Sequence, residues 1–157
     1  MEPFDHIAVG FDGSSHSAGA CRVAITLAGK FRSSLTVLAW VPGAKDETAM
    51  ALQELVPVTD DGVARAKLLE QFRASALSGG ARAFETITIR DDVLDSMLGW
   101  LERNGPDLVI VASRGQSRGR RLVMGSLSTG LVAASPCPVL VVRGRRALRP
   151  SGVPRGI

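Results

Sequence analysis

Apolar residues in this chain fall into short runs, and between the runs they recur every three or four positions. In residues 4–12, Ile7, Val9 and Phe11 alternate with small residues, which predicts a buried strand. Asp12-Gly13-Ser14-Ser15 reads as a turn into a helix, with Ser14 or Ser15 as its N-cap. That helix reaches about Phe31 and carries its apolar side on Ala18, Cys21, Val23, Ala24, Leu27 and Ala28. Residues 34–41, with Leu35, Val37, Leu38 and Trp40, predict a second strand that Pro42-Gly43 ends. Residues 44–61 show mixed charge and Pro57, and read as a long loop with a short helical piece near 50–55. A second helix is expected over 62–78, with Ala66, Leu69, Phe72 and Leu77 as core positions, stopped by Gly79-Gly80. Residues 83–89 predict a third strand. Asp91 or Asp92 then caps a third helix striped by Val93, Leu94, Met97, Leu98 and Leu101, which Asn104-Gly105-Pro106 ends. Residues 108–112 form a fourth strand, a fourth helix starts near Ser126, and residues 139–143 form a fifth strand.

Strand and helix alternate throughout, which implies a parallel sheet covered on both faces by helices. In such sheets ligands bind beyond the strand C-termini where the strand order reverses.

The chemistry concentrates between the fourth strand and the fourth helix. Leu108-Val109-Ile110-Val111 enters a glycine- and arginine-rich loop that runs from Ala112 through Arg114, Gly115, Arg118, Arg120 and Arg121 to Gly125-Ser126-Leu127-Ser128. Glycine lets backbone N–H groups approach a ligand closely. A helix start leaves its first N–H groups unpaired, which favours an anion. The loop is neither a P-loop nor a dinucleotide fingerprint, because it has no Lys after a glycine in the required frame and no Gly-x-Gly-x-x-Gly.

The nine residues between Gly115 and Gly125-Ser126 instead resemble the nucleotide loop of ATP-binding universal stress proteins, Gly-x2-Gly-x9-Gly-Ser/Thr. Ala112 stands where that pattern has its first glycine. The segment Ile7-Ala8-Val9-Gly10-Phe11-Asp12-Gly13-Ser14 is similar to the family's opening strand and turn, and Ser135-Pro136-Cys137-Pro138-Val139-Leu140-Val141-Val142 is similar to its closing strand. The resemblance spans about residues 4–143. It implies a five-stranded doubly wound sheet of order 3-2-1-4-5 in one domain over 1–143, with the reversal between strands 1 and 4. It further implies that Gly10, Phe11, Asp12 and the Val41 backbone face the adenosine of ATP. Ala112, Arg114 and Gly115 would lie against ribose and phosphates, with the Ala112 methyl near the ribose. Gly125, Ser126, Leu127 and Ser128 would offer backbone N–H groups and two hydroxyls to the phosphates. A Mg2+ or Mn2+ ion would arrive on the phosphates rather than on a protein cage. The resemblance also implies a homodimer paired through strand 139–143, an exposed apolar edge of the kind that invites pairing.

Arg118, Arg120 and Arg121 fit either phosphate contacts or a solvated loop. Asp91, Asp92 and Asp95 suggest a metal cluster, but Asp at a helix start is ordinarily a cap and dipole partner. No general base is evident: the loop offers arginines, serines and Gln116, and phosphoryl transfer to water needs a positioned group. The related nucleotidyl transferases use a His-x-Gly-His stretch, which His6 and His16 do not form.

Composition changes this picture little. The net charge of +4 equals the charge of Arg145, Arg146, Arg149 and Arg155 alone, so residues 1–143 are neutral and the basic character belongs to a tail expected to be disordered. Aromatic residues make up 4% and there is no Tyr, which argues against a stacking platform for nucleic acid. No apolar run is long enough for a membrane span. The first residues show no export pattern and the only cysteines are Cys21 and Cys137, so two unpaired thiols in a cytoplasmic, reducing setting are expected. Three functions remain: an ATP-binding regulatory protein in which nucleotide is a conformational ligand, a nucleotide-free dimerisation module, and a slow ATPase.

Overall fold

A computed structural model describes residues 3–41, 60–90, 92–113 and 126–143. It contains five strands, β1 (His6–Phe11), β2 (Ser34–Trp40), β3 (Ala83–Ile89), β4 (Leu108–Ala112) and β5 (Val139–Val142). Four helices lie among the described residues: α1 (Ser15–Phe31), α2 (Asp60–Ser78), α3 (Val93–Asn104) and α4 (Ser126–Ala134). The strands form one sheet in the order β3-β2-β1-β4-β5. Every neighbouring pair is parallel, as the alternation of strand and helix requires. The expected loop and helical piece at 44–59, the Pro42-Gly43 end, Asp91, most of the arginine-rich loop and the tail lie outside the described residues.

Side-chain alternation divides the core in two. Ile7, Val9 and Phe11 of β1, Leu35, Val37 and Ala39 of β2 and Leu108 and Ile110 of β4 meet Ala18, Cys21, Ala24 and Ala28 of α1 and Phe72 and Ala76 of α2. On the other face Ala8, Leu38, Val109 and Val111 meet Met97, Trp100 and Leu101 of α3 and Leu131 of α4. The central strands are buried on both faces, which is why they read as near-continuous apolar runs. The edge strands β3 and β5 are only partly covered.

Helix ends follow local chemistry. Ser14 caps α1 by accepting from the Ser17 N–H at 3.1 Å, and Asp92 caps α3 by accepting from the Asp95 N–H at 3.1 Å. Asp92 is thus the cap, and Asp95 adds an acidic side chain in the first turn.

Two core expectations need correction. In α2 the buried positions are Phe72 and Ala76, backed by half-buried Leu68 and Leu69; Ala66 is exposed and Leu77 is 42% exposed. Ala76 takes the inward position four residues after Phe72, and the next residue is turned about 100° away. In α3, Trp100 is buried with Met97 and Leu101, a position the aliphatic stripe did not include.

The crossing of α1 and α2 is close enough to require glycine. A Cβ on Gly29 would lie 2.5 Å from the Gly79 carbonyl oxygen. The Gly79 turn is fixed by its own N–H to Ser75 O and by Ala81 N–H to Ala76 O, each at 2.9 Å. Alanine ordinarily improves a helix interior by about 1 kcal/mol over glycine, but overpacking costs about 1–3 kcal/mol. Gly29→Ala is therefore expected to lower stability, and urea unfolding would show a reduced midpoint; a raised midpoint would mean that the helices separate at no cost.

Candidate functional site

The strand order reverses between β1 and β4. Both strands run in the same direction, so their C-terminal ends form one crevice. Val9 is level with Ile110 in the ladder, and extending the register by two residues brings Phe11 beside Ala112. Asp12 follows the first strand and Ser113 the second. The start of α4 returns to the sheet on the α3 side, anchored by Leu131, which is completely buried.

The β1 end of the crevice is a braced turn. Asp12 Oδ1 accepts from the Ser14 N–H and from Ser17 Oγ, both at 2.8 Å. Ser17 Oγ also accepts from the Asp12 N–H at 3.2 Å. This Asx turn competes successfully with continued strand or helix and hands the chain directly into α1. Gly13 carries φ of +88°, the left-handed region where glycine is favoured. Arg65 of α2 lies over the same turn, its Nη2 donating to the Asp12 backbone oxygen at 3.4 Å.

Around this turn, Gly10 and Phe11 differ in what they can present. Gly10 is buried, with its side-chain position facing Val111 Cγ1 and Met97 Cε at 3.3 and 3.4 Å. The Phe11 ring packs edge-to-face on Phe72 with centroids 5.7 Å apart. Both side-chain positions belong to the core, and both residues are in register with β2, Gly10 with Leu38 and Phe11 with Ala39. The Val41 N–H reaches the Ile89 oxygen at 3.4 Å, fixing the end of β2 against β3.

At the β4 end, Ala112 stays in extended strand conformation opposite Val142 and is not among the residues of positive φ. Its methyl packs against the α1-side core. The half-buried methyl thus has packing partners within the protein itself. The Ser113 N–H continues the ladder to Val142 O at 2.9 Å. At the start of α4, Ser126 is exposed, Leu127 is half-buried and Ser128 is completely buried. Of the two expected hydroxyls, only that of Ser126 faces solvent. Arg114, Gly115 and Gly125, together with Arg118, Arg120 and Arg121, lie outside the described residues.

Sequence reasoning missed Ser17, Ser113 and Arg65. Ser17 had a local signal, a hydroxyl three residues beyond the capping serine. Arg65 had none, since only the packing of α2 brings it to the turn.

His6 and the cysteines stand apart from the crevice. His6 opens β1 at the opposite end of the sheet, where Nε2 lies 2.8 Å from Thr36 Oγ1. Cys21 and Cys137 form no disulfide. Burial pushes the Cys21 thiol up to about 12, so it remains protonated at neutral pH. Among the described residues no three His, Cys, Asp or Glu side chains gather as metal ligands, and no helix is long and apolar enough to cross a membrane.

A five-stranded parallel sheet whose order reverses between β1 and β4 defines a doubly wound α/β protein. The chain belongs to the universal stress protein family, whose model matches residues 3–143. It is 30% identical over 149 residues to the universal stress protein YxiE of Bacillus subtilis, covering 89% of this chain and 99% of that one. The fold is shared with the universal stress protein UspA of Lactobacillus plantarum, at a TM-score of 0.72 and 24% identity over 89% of this chain and 98% of that one. Two further solved family members carry adenine nucleotides. One is in complex with cAMP, with a TM-score of 0.61 and 20% identity over 87% of this chain and 94% of that one. The other, from Archaeoglobus fulgidus, is in complex with dAMP, with a TM-score of 0.59 and 15% identity over 88% of this chain and 98% of that one.

Proposed function

We propose that this universal stress protein binds ATP, or a related adenine nucleotide, as a conformational ligand at the β1–β4 crevice. The observation that carries this reading is the meeting of the Asp12 turn and the β4 end at the switch point. The loop Gly115-x9-Gly125-Ser126 leaves β4 and ends at the start of α4. Asp12, Val41 and the backbone of Gly10 and Phe11 form the adenosine side; Ala112, Arg114 and Gly115 lie along ribose and phosphates. The phosphates meet Gly125, Ser126 and Leu127, with buried Ser128 behind them, where N–H groups and the helix dipole favour negative charge, each such interaction contributing on the order of 0.3–1 kcal/mol. A Mg2+ or Mn2+ ion bound to this nucleotide takes its ligands from phosphate oxygens and water. The described part of the crevice offers a braced Asp12 and serines but no base positioned to activate water, so slow hydrolysis is the lesser reading.

Thermal unfolding with ATP, ADP and AMP tests this. A ligand that binds only the folded state adds RT ln(1 + [L]/Kd), about 2.7 kcal/mol at a hundredfold excess over Kd. A clear rise in midpoint with ATP is expected. An unchanged midpoint at millimolar nucleotide would favour the nucleotide-free module.

The same reading includes a cytoplasmic homodimer paired along β5. That strand is a sheet edge, Leu140 is 37% exposed on it, and Val132 of the neighbouring α4 is 61% exposed. Leu140→Lys is the cleaner seam variant, because Val141 also packs against the α3–α4 core. Sedimentation is expected to give a dimer for the wild type and a weakened one for Leu140→Lys; a wild-type monomer at micromolar concentration would refute the pairing.

A further inference from the structure

Arg65 is a cation lying over a turn of the candidate site, and it belongs to a helix that supplies none of the loop residues. A Cβ built on Gly13 would come 2.8 Å from Arg65 Nη2, 3.0 Å from Nε and 3.2 Å from Cζ. The guanidinium thus fills the space that a side chain on Gly13 would take. Its Nη2 donates to the Asp12 backbone oxygen. Its Nε is buried and has no hydrogen-bond partner among the described residues, a cost that a native structure carries only where something else is gained.

The turn needs such a brace. Gly13 sits at φ of +88°, and glycine keeps more backbone freedom to be lost on ordering than any other residue. The Asp12 carboxylate is held from the α1 side through Oδ1, by the Ser14 N–H and Ser17 Oγ. From α2, Arg65 Nη2 donates to the Asp12 carbonyl. Asp12 thus takes contacts through its carboxylate from Ser14 and Ser17 and through its carbonyl from Arg65 of α2. Rotation of that peptide would move the Asp12 side chain and the backbone next to it.

We propose that Arg65 is a positioning residue of the nucleotide site, fixing the Asp12–Gly13 turn by filling the side-chain space of Gly13 and holding the Asp12 carbonyl. This rests on the adenine-nucleotide reading of the crevice. Arg65 acts through Asp12, so it governs adenosine and ATP alike. It also makes nucleotide affinity depend on the seating of α2.

Calorimetric titration of wild type, Arg65→Met, Arg65→Lys and Gly13→Ala with adenosine and with ATP tests the proposal, alongside ligand-free unfolding midpoints. Arg65→Met keeps the stem and removes the donors. It is expected to weaken ATP and adenosine by the same factor, about tenfold, the scale of one ordering hydrogen bond, with a nearly unchanged ligand-free midpoint. Arg65→Lys retains a donor and is expected to recover part of the affinity. Gly13→Ala displaces the guanidinium with Arg65 still present and is expected to lower both affinities. Loss for ATP with adenosine unaffected would overturn positioning in favour of a phosphate contact. Equal affinities in wild type and Arg65→Met would overturn the proposal while leaving the nucleotide reading intact. A wild type that binds neither ligand would overturn both.

Discussion

Leu131→Ala is expected to lower stability by about 2–5 kcal/mol, the range for removing a buried leucine side chain where the surroundings relax only partly. Helix α4 has nine residues, and only Ser128 and Leu131 on it are buried. Leu131 is completely buried within the α3-side core. Leu127 is half-buried, and Gly130 lies so close to Leu94 that a Cβ there would come 2.5 Å from Leu94 Cδ2. One large side chain therefore carries most of the docking of this helix. A helix this short has little stability of its own in water. A domain of this size is stable by only about 5–15 kcal/mol, so the substitution removes a substantial share. The same change should reach the site, because the start of α4 is the phosphate end in the proposed reading. Denaturant unfolding and ATP titration together check this: both stability and affinity are expected to fall. Lost stability with wild-type affinity would show that the α4 start is held by its loop and not by its packing.

The sheet and its helices were legible because the periodicities are strong. The central strands are apolar on both faces, and this produces continuous runs such as Leu108-Val109-Ile110-Val111. Order 3-2-1-4-5 came from family resemblance, since alternation alone fixes parallel strands and not their sequence across the sheet. Individual core positions were less legible where a helix packs at an angle. Leu77 is apolar by composition yet exposed, because Ala76 takes the inward position and the next residue is turned about 100° away. Trp100 is buried although the aliphatic stripe passes beside it; its ring packs edge-to-face on His6 with centroids 5.8 Å apart, a contact between residues far apart in sequence. The same limit applies to the candidate site. The Asp12-Gly13-Ser14 turn is local chemistry and could be read directly. Arg65 reaches it only because α2 crosses α1, and no pattern within the sequence of α2 announces that.

Gly125→Val and Ala112→Gly should separate the two glycine positions of the loop pattern, and they are expected to differ sharply. Gly125 immediately precedes α4, where close backbone approach and unpaired N–H groups would serve the phosphates. A branched side chain there would stand between ligand and backbone, and ATP affinity is expected to fall by more than about tenfold, over 1.4 kcal/mol. Ala112 occupies a different environment. It is extended, paired with Val142 and packed by its methyl against the α1-side core. Replacement by glycine should leave ATP affinity near the wild-type value. It should cost about 0.5–1 kcal/mol of stability, because glycine in a strand loses both packing and backbone freedom. The departure from the family loop is then a packing substitution, since the extended strand conformation is one that alanine adopts without strain. The decisive measurement is calorimetric ATP titration of the wild type beside both variants. If the wild type fails to bind and Ala112→Gly restores binding, the methyl group blocks the ligand in spite of its packing. The chain would then be a nucleotide-free member of its family, and the proposed pairing along β5 would be the next reading to test.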